Sequence, residues 1–255
     1  MDAEQRVAIL DNLRSGAMEI EGLLPWSSNY AFLVRVSGPD LSLRAVYKPS
    51  RGERPLWDFP GGTLCSREYA AFMVSDAMGW HLVPPTVVRE GEHGPGSVQL
   101  FIEHDPDQHY FSFEGDPLFA LPLQKMVLLD VIINNADRKG GHVIIEEDCG
   151  EGDANVIEGV GRLWGIDHGI CFHHEYKLRT VIWEFAGADI PPELLQDLHG
   201  LALKLAGPKQ PLRAELTSLL SEREIVACEQ RLQRLLRRRN FPHPGPGRHY
   251  PWPPV

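Results

Sequence analysis

Apolar positions set the first expectations. Val7, Ile9, Leu10 and Leu13 recur at near-helical spacing and predict a short helix over 4–15 that ends at Gly16. From 17 to 48 the pattern shifts toward period two. "AMEIEGLL", "YAFLVRVSG" and "LSLRAVYKP" read as three strands, with turns at Pro25 to Asn29 and at "SGPD". The Gly-, Pro- and charge-rich stretch 50–63 reads as loop. "CSREYAAFMVSDAMGW" is helical, with Ser66 as its expected N-cap and Gly79 as its stop. "TVVRE" and "SVQLFIEH" read as an antiparallel pair.

After about residue 105 the pattern changes. An acidic, aromatic loop precedes a helix from about Leu118 to Asn134. Residues 142–147 are strand-like, "CGEGDANVIEGVG" is an acidic, Gly-rich excursion, and "RLWGIDHGICF" is strand-like again. Residues 189–239 read as helical. The Pro-rich tail "NFPHPGPGRHYPWPPV" reads as extended, and as mobile unless it docks. These patterns predict a strand-rich part (1–104), a helix-rich part (105–240) and a flexible tail (241–255), joined across "FIEHD". No internal repeat is visible.

Composition narrows the classes. At 255 residues and 43% hydrophobic content the chain can bury a large core without covalent staples. Its formal net charge of −10 argues against general nucleic-acid or anionic-membrane binding. The four cysteines are scattered with no CxxC, which fits a reducing cytoplasm better than a disulfide framework. No run of about 18 apolar residues could span a membrane, and no signal peptide is apparent at the N-terminus.

The chemistry concentrates in "LLDVIINNADRKGGHVII" (128–145), where two amides, an acid and several basic or imidazole side chains interrupt an apolar segment. Three other motifs accompany it. "AVYKP" puts Lys48 on a strand, "SREYAAF" puts Glu68 on the next helix, and "GIDHG" puts Asp167 after a later strand. In this order, on this layout, the chain resembles the phosphatidylinositol 3- and 4-kinase-like branch of the protein-kinase-like superfamily, which includes HipA-like kinases. It looks closest to a bacterial family that carries this domain. The resemblance covers roughly 17–185 and implies an α+β, bilobal fold with a small antiparallel-sheet lobe and a mainly helical lobe.

It also implies roles. Lys48 would meet the non-transferred phosphates of ATP, held in place by Glu68. Asp137 would orient an acceptor hydroxyl, with Arg138 bracing the loop. Asp167 would bind Mg²⁺. Ser27, Ser28 and Asn29 would cradle phosphate, adenine would lie near Phe101 and Ile102, and Ile166 would form its floor. His142 stands where the resembled families place Asn. Mg²⁺ prefers hard oxygen donors, and imidazole is better suited to Zn²⁺, Mn²⁺ or similar ions. Three readings stay open: one metal held by Asp167 alone, a softer ion on His142, or nucleotide binding without turnover. The expected function is thus an ATP-dependent phosphotransferase with a protein or small-molecule acceptor. The alternatives are a pseudokinase or nucleotide-sensing module, or an enzyme that transfers AMP.

Weaker features have plainer readings. His168, His173 and His174 lack a defined fourth ligand, and His168 is expected to pack like the aromatic of an Asp-Phe-Gly turn. The acids after Ile145 read as a solvated loop. "RLLRRR" (234–239) reads as the basic last turn of a helix, with a phosphate-bearing partner as the other option. Lys177, Arg179 and Trp183 lie where an acceptor would be selected.

Overall fold

The computed structural model describes residues 1–255 except 25–28, 148–155 and 158–159. Helix α1 (Ala3–Ser15) opens on a capping box in which Asp2 and Gln5 satisfy each other's backbone N–H groups. Strands β1 (Ala17–Leu23), β2 (Phe32–Ser37) and β3 (Ser42–Pro49) follow, then helix α2 (Leu64–Ala77). Strands β4 (Thr86–Gly91) and β5 (Gly94–Leu100) complete an antiparallel sheet of order β1-β2-β3-β5-β4. Alternation along β3 decides which side chains reach the cleft. Ala45 and Tyr47 join a core with Leu13, Val34, Val36, Val87 and Val98, so Val46 and Lys48 fall on the opposite face.

The second part begins with a short helix α3 (Tyr110–Phe113) and the long α4 (Ala120–Ile133). Helix α4 is buried nearly all round, as its continuous apolar sequence requires. It stops where Asn134 turns left-handed, at φ +54°. A small antiparallel sheet of β6 (Val143–Glu146), β7 (Val156–Ile157) and β8 (Gly161–Gly165) has the order β6-β8-β7. Helices α5 (Pro192–Leu205), α6 (Pro211–Thr217) and α7 (Glu222–Arg238) close the chain's helical half. The fold is α+β, with a five-stranded antiparallel sheet and a mainly helical second part.

Helix α2 links the two halves. Its Ala70, Ala71, Phe72, Met73 and Val74 share one apolar core with α4, α5 and α7. Buried Arg67 donates to Glu224 of α7 at 2.6 Å and to the Cys171 carbonyl at 2.6 Å. The helix therefore starts earlier than its polar residues suggest. Its N-cap is Thr63, and Ser66 lies inside the first turns, because Leu64 and Cys65 are already buried. Strand pairing also ends sooner than the apolar pattern predicts, at Leu100 and at Gly165.

The tail packs on the second part. Phe241 and Pro251 are buried, the His249 carbonyl accepts from Thr180 N–H at 3.1 Å, and the Pro254 carbonyl accepts from Gly140 N–H at 2.7 Å. Cys65, Cys171 and Cys228 are buried free thiols. Among the described residues no helix is long and apolar enough to cross a membrane.

Candidate active site

Four of the sequence motifs meet at one cleft. Lys48 Nζ donates to Glu68 Oε1 at 2.6 Å and to Asp167 Oδ1 at 3.0 Å, across 119 residues of chain. Glu68 Oε2 accepts from the His168 N–H at 2.9 Å, so the carboxylate is gripped at both oxygens. Burial raises the Glu68 pKa, with Lys48 opposing. Burial alone would depress the Lys48 pKa, but Asp167 and Glu68 outweigh it and hold the amine charged. Lys48 in turn keeps Asp167 ionised well below the usual carboxylate range, against the effect of burial. Asp167 sits in the left-handed region at φ +60°, which a short polar side chain tolerates better than most.

Behind this cluster lies a second, closed one. Arg138 is wholly buried and makes a two-pronged pair with Asp130, Nε to Oδ2 and Nη2 to Oδ1, each 2.9 Å. Its Nη1 reaches the His142 and Ile166 carbonyls, both at 3.0 Å. Asn135 donates to Asp130 at 2.9 Å, and the Asp137 N–H donates to Asn135 Oδ1 at 2.9 Å. Arg138 thus fixes the backbone on both sides of the cleft floor and does not face a ligand. His168 does more than pack. Its Nε2 lies 2.6 Å from Arg138 Nη2, and because guanidinium only donates, Nε2 must accept. Burial, and next the Arg138 charge, keep that imidazole neutral.

His142 and Asp137 hang from this framework. His142 Nδ1 is 2.9 Å from the Asp137 carbonyl, which can only accept, so Nδ1 carries the proton and Nε2 presents its lone pair. Nε2 lies 3.3 Å from Asp167 Oδ2. Burial lowers the His142 pKa to about 4, leaving the ring neutral near pH 7. Two acceptors facing each other fit a shared cation. Among the described residues no three His, Cys, Asp or Glu side chains converge on a metal position. The pair therefore suits an ion that fills its shell with phosphate oxygens and water. Asp137 is half-buried, and burial lifts its pKa to about 6 although Lys139 opposes.

Two cavities flank Lys48 and Asp167. One, of about 300 Å³, is mainly apolar, with Val46, Phe101, Ile102, Ile144 and Ile166 among its walls. The other is small and polar, and brings Asn29 to the same space as Lys48, Glu68, Asp137 and Asp167. Ser27 and Ser28 lie outside the described residues, as do the acids from Asp148 to Asp153 and Cys149. Gly140 and Gly141 are not left-handed; they form a tight 3₁₀ turn ending at His142. A Cβ on Gly140 would meet the Phe111 ring at 2.9 Å, so crowding explains that glycine. Lys177 is engaged by Asp58 at 2.9 Å, and Trp183 packs edge-on to His249. Two further residues of the site carry no local sequence signature: Asp130, the one acid inside "LLDVII", and His104, which lines the apolar cavity and holds the Ile102 carbonyl at 2.8 Å.

Comparisons with known proteins bear on the family and the fold. The family model for phosphatidylinositol 3- and 4-kinases matches residues 86–210. Protein Rv2133c of Mycobacterium tuberculosis is 38% identical over 274 residues, covering 94% of this chain and 93% of that one. Phosphatidylinositol 4-kinase gamma 4 of Oryza sativa subsp. japonica is 29% identical over 132 residues, 46% of this chain, which spans only 22% of that kinase. The solved structure of the Golgi casein kinase with Mn/ADP bound is similar with a TM-score of 0.63 at 16% identity, covering 93% of this chain and 76% of that one. At that identity the likeness is one of fold.

Proposed function

We propose, from the premise that the chain belongs to the phosphatidylinositol 3- and 4-kinase-like family, that it is a phosphotransferase that uses ATP and passes the γ-phosphoryl to a hydroxyl. One observation carries this reading: Lys48 and Asp167 stand between an apolar cavity and a smaller polar one, which Glu68 and Asp137 also line. The apolar cavity is the adenine site, with Ile166 as floor and Phe101 and Ile102 at the join between the two parts of the chain. Lys48 gives up part of its bond to Asp167 and meets phosphate oxygens, while Glu68 keeps the amine in place. Asp167 and His142 Nε2 would hold a divalent cation, Mg²⁺ or Mn²⁺, which would neutralise phosphate charge. The Golgi casein kinase structure, of similar fold, carries Mn and ADP.

Asp137 orients the acceptor hydroxyl and takes its proton as the oxygen attacks. A carboxyl with pKa about 6 is mostly ionised at pH 7 and is a stronger base than a solvated Asp. Lys139, 3.8 Å away, offsets the charge that Asp137 would otherwise set against the incoming phosphate. The acceptor is a protein or a small molecule, since the net charge of −10 does not favour an anionic membrane.

The test has two stages. ATP with Mn²⁺ or Mg²⁺ should raise the melting temperature, by mass action on the folded state. Intact-mass analysis after incubation with ATP and candidate acceptors should then find a gain of phosphate. A gain of AMP would replace the reading with nucleotidyl transfer. Binding with neither product, across both metals, would replace it with a nucleotide-sensing module.

A further inference from the structure

Away from the cleft, helix α7 and the tail line a further cavity, of about 470 Å³. It shares no lining residue with either cavity at Lys48 and Asp167. Arg231, Arg234 and Arg238 lie at i, i+3 and i+7 on α7 and so share a face, which is the wall of this cavity. Asn240, His243 of the tail and Tyr176 complete the polar lining, and no carboxylate is in it. Leu235, Val131, Pro242 and Pro246 make the rest apolar.

Three guanidiniums on one wall repel one another unless something balances them. Among the described residues none of the three has an ion-pair partner. Arg231 is the telling one. It is buried, and it spends Nε on the Ile132 carbonyl at 2.9 Å and Nη1 on the His173 carbonyl at 3.3 Å. Its Nη2 meets no oxygen or nitrogen acceptor, only the buried Cys228 thiol, a weak one. A buried guanidinium is normally matched by a carboxylate or by bound anion oxygens. The chain does the former elsewhere, with Arg138 on Asp130 and Arg67 on Glu224. The helix dipole accounts for a basic last turn at Arg238 but falls off before Arg231, two turns earlier.

We infer that this cavity is a binding site for a small organic phosphate, a phosphomonoester whose dianionic head meets the Arg231, Arg234 and Arg238 wall and whose apolar body lies against Leu235, Val131 and the tail prolines. Dianionic phosphate suits three guanidiniums better than a single carboxylate does, and guanidinium matches phosphate oxygens in two-pronged geometry. The apolar remainder of the cavity has no use for free phosphate. The site is independent of the proposed phosphotransfer and would stand if that reading failed.

Phenyl phosphate is a suitable probe, titrated by calorimetry into the full chain. Saturable binding at one site is expected, weaker by about tenfold or more when Arg234→Ala and Arg238→Ala are combined. Both residues are exposed, so the variant should fold, which its melting curve checks. Lys48→Met should leave this binding unchanged, since Lys48 lies in the other cleft. Phenol and inorganic phosphate should each bind much more weakly than the probe. The proposal is overturned by an absence of saturable binding, by equal binding in the double variant, or by loss of binding in Lys48→Met. It is also overturned if inorganic phosphate binds as tightly as phenyl phosphate.

Discussion

Arg138 and Lys48 are both cations held by carboxylates, a few residues from the same cleft, yet their surroundings differ. Arg138 has every donor group pointed at a fixed acceptor, and neither it nor Asp130 is exposed. Lys48 is paired as closely, but its partner Asp167 has 48% of its side chain open and both line cavities. The first cluster lies within one half of the chain, and its Arg138 has no donor left for a ligand. The second crosses between halves and can exchange one partner for phosphate. The contrast separates a frame from the groups it holds out. A satisfied buried pair resists change, whereas an exposed pair is easily redistributed.

The contrast can be broken experimentally. The largest effect should come from Asp130→Ala, which strands a buried guanidinium. About 3–5 kcal/mol of stability should go, seen as a lowered urea midpoint. A variant as stable as the parent would mean Arg138 is not locked as described. Asp167→Asn should instead cost turnover, by about 10²–10³-fold, with the circular dichroism spectrum retained. An Asp167→Asn protein of near-normal activity would remove the carboxylate from the chemistry.

Asp137→Asn should separate activity from stability. The folded state holds the Asp137 proton to about pH 6, while an unfolded Asp releases it near its ordinary value of 3.8. The parent should therefore lose stability from this group as pH rises between those values. The Asn variant has no such loss and should be the more stable above pH 6, by up to about 2 kcal/mol, and equal to the parent well below pH 4. Its turnover should collapse. Parallel stability curves across that range would show that Asp137 is not strained by burial. The smallest effect is expected of His142→Asn, a few-fold shift in metal preference from Mn²⁺ toward Mg²⁺, read by comparing activity in the two ions.

Much of this site is legible in the sequence because each of its parts has a local signature. Lys48 is fixed by alternation along one strand, Glu68 by helical phase, and Asp137, His142 and Asp167 by short loops bounded by apolar runs. Their order along the chain then matches one fold. The frame is less legible. Asp130 sits inside an apolar helix, and its partner Arg138 is beyond the helix end, so neither position announces the pair. The start of α2 was displaced from Ser66 to Thr63 by burial of Leu64 and Cys65, a tertiary demand that no capping preference contains. The tail reads as extended from its prolines, yet its carbonyls bond Gly140 and Thr180, contacts set by surfaces more than a hundred and about seventy residues upstream.

The backbone at Asp167 has a last consequence. A left-handed φ of +60° admits glycine freely and asparagine or aspartate at small expense, and penalises everything with a bulkier Cβ substituent. Alanine, the usual choice for deleting a side chain, would here disturb the turn together with the charge, and its phenotype would conflate the two. Any descendant of this protein that abandoned the carboxylate would meet the same filter. Its easiest replacements would be Asn or Gly, a bias that comes from the shape of the turn and not from the reaction it once served.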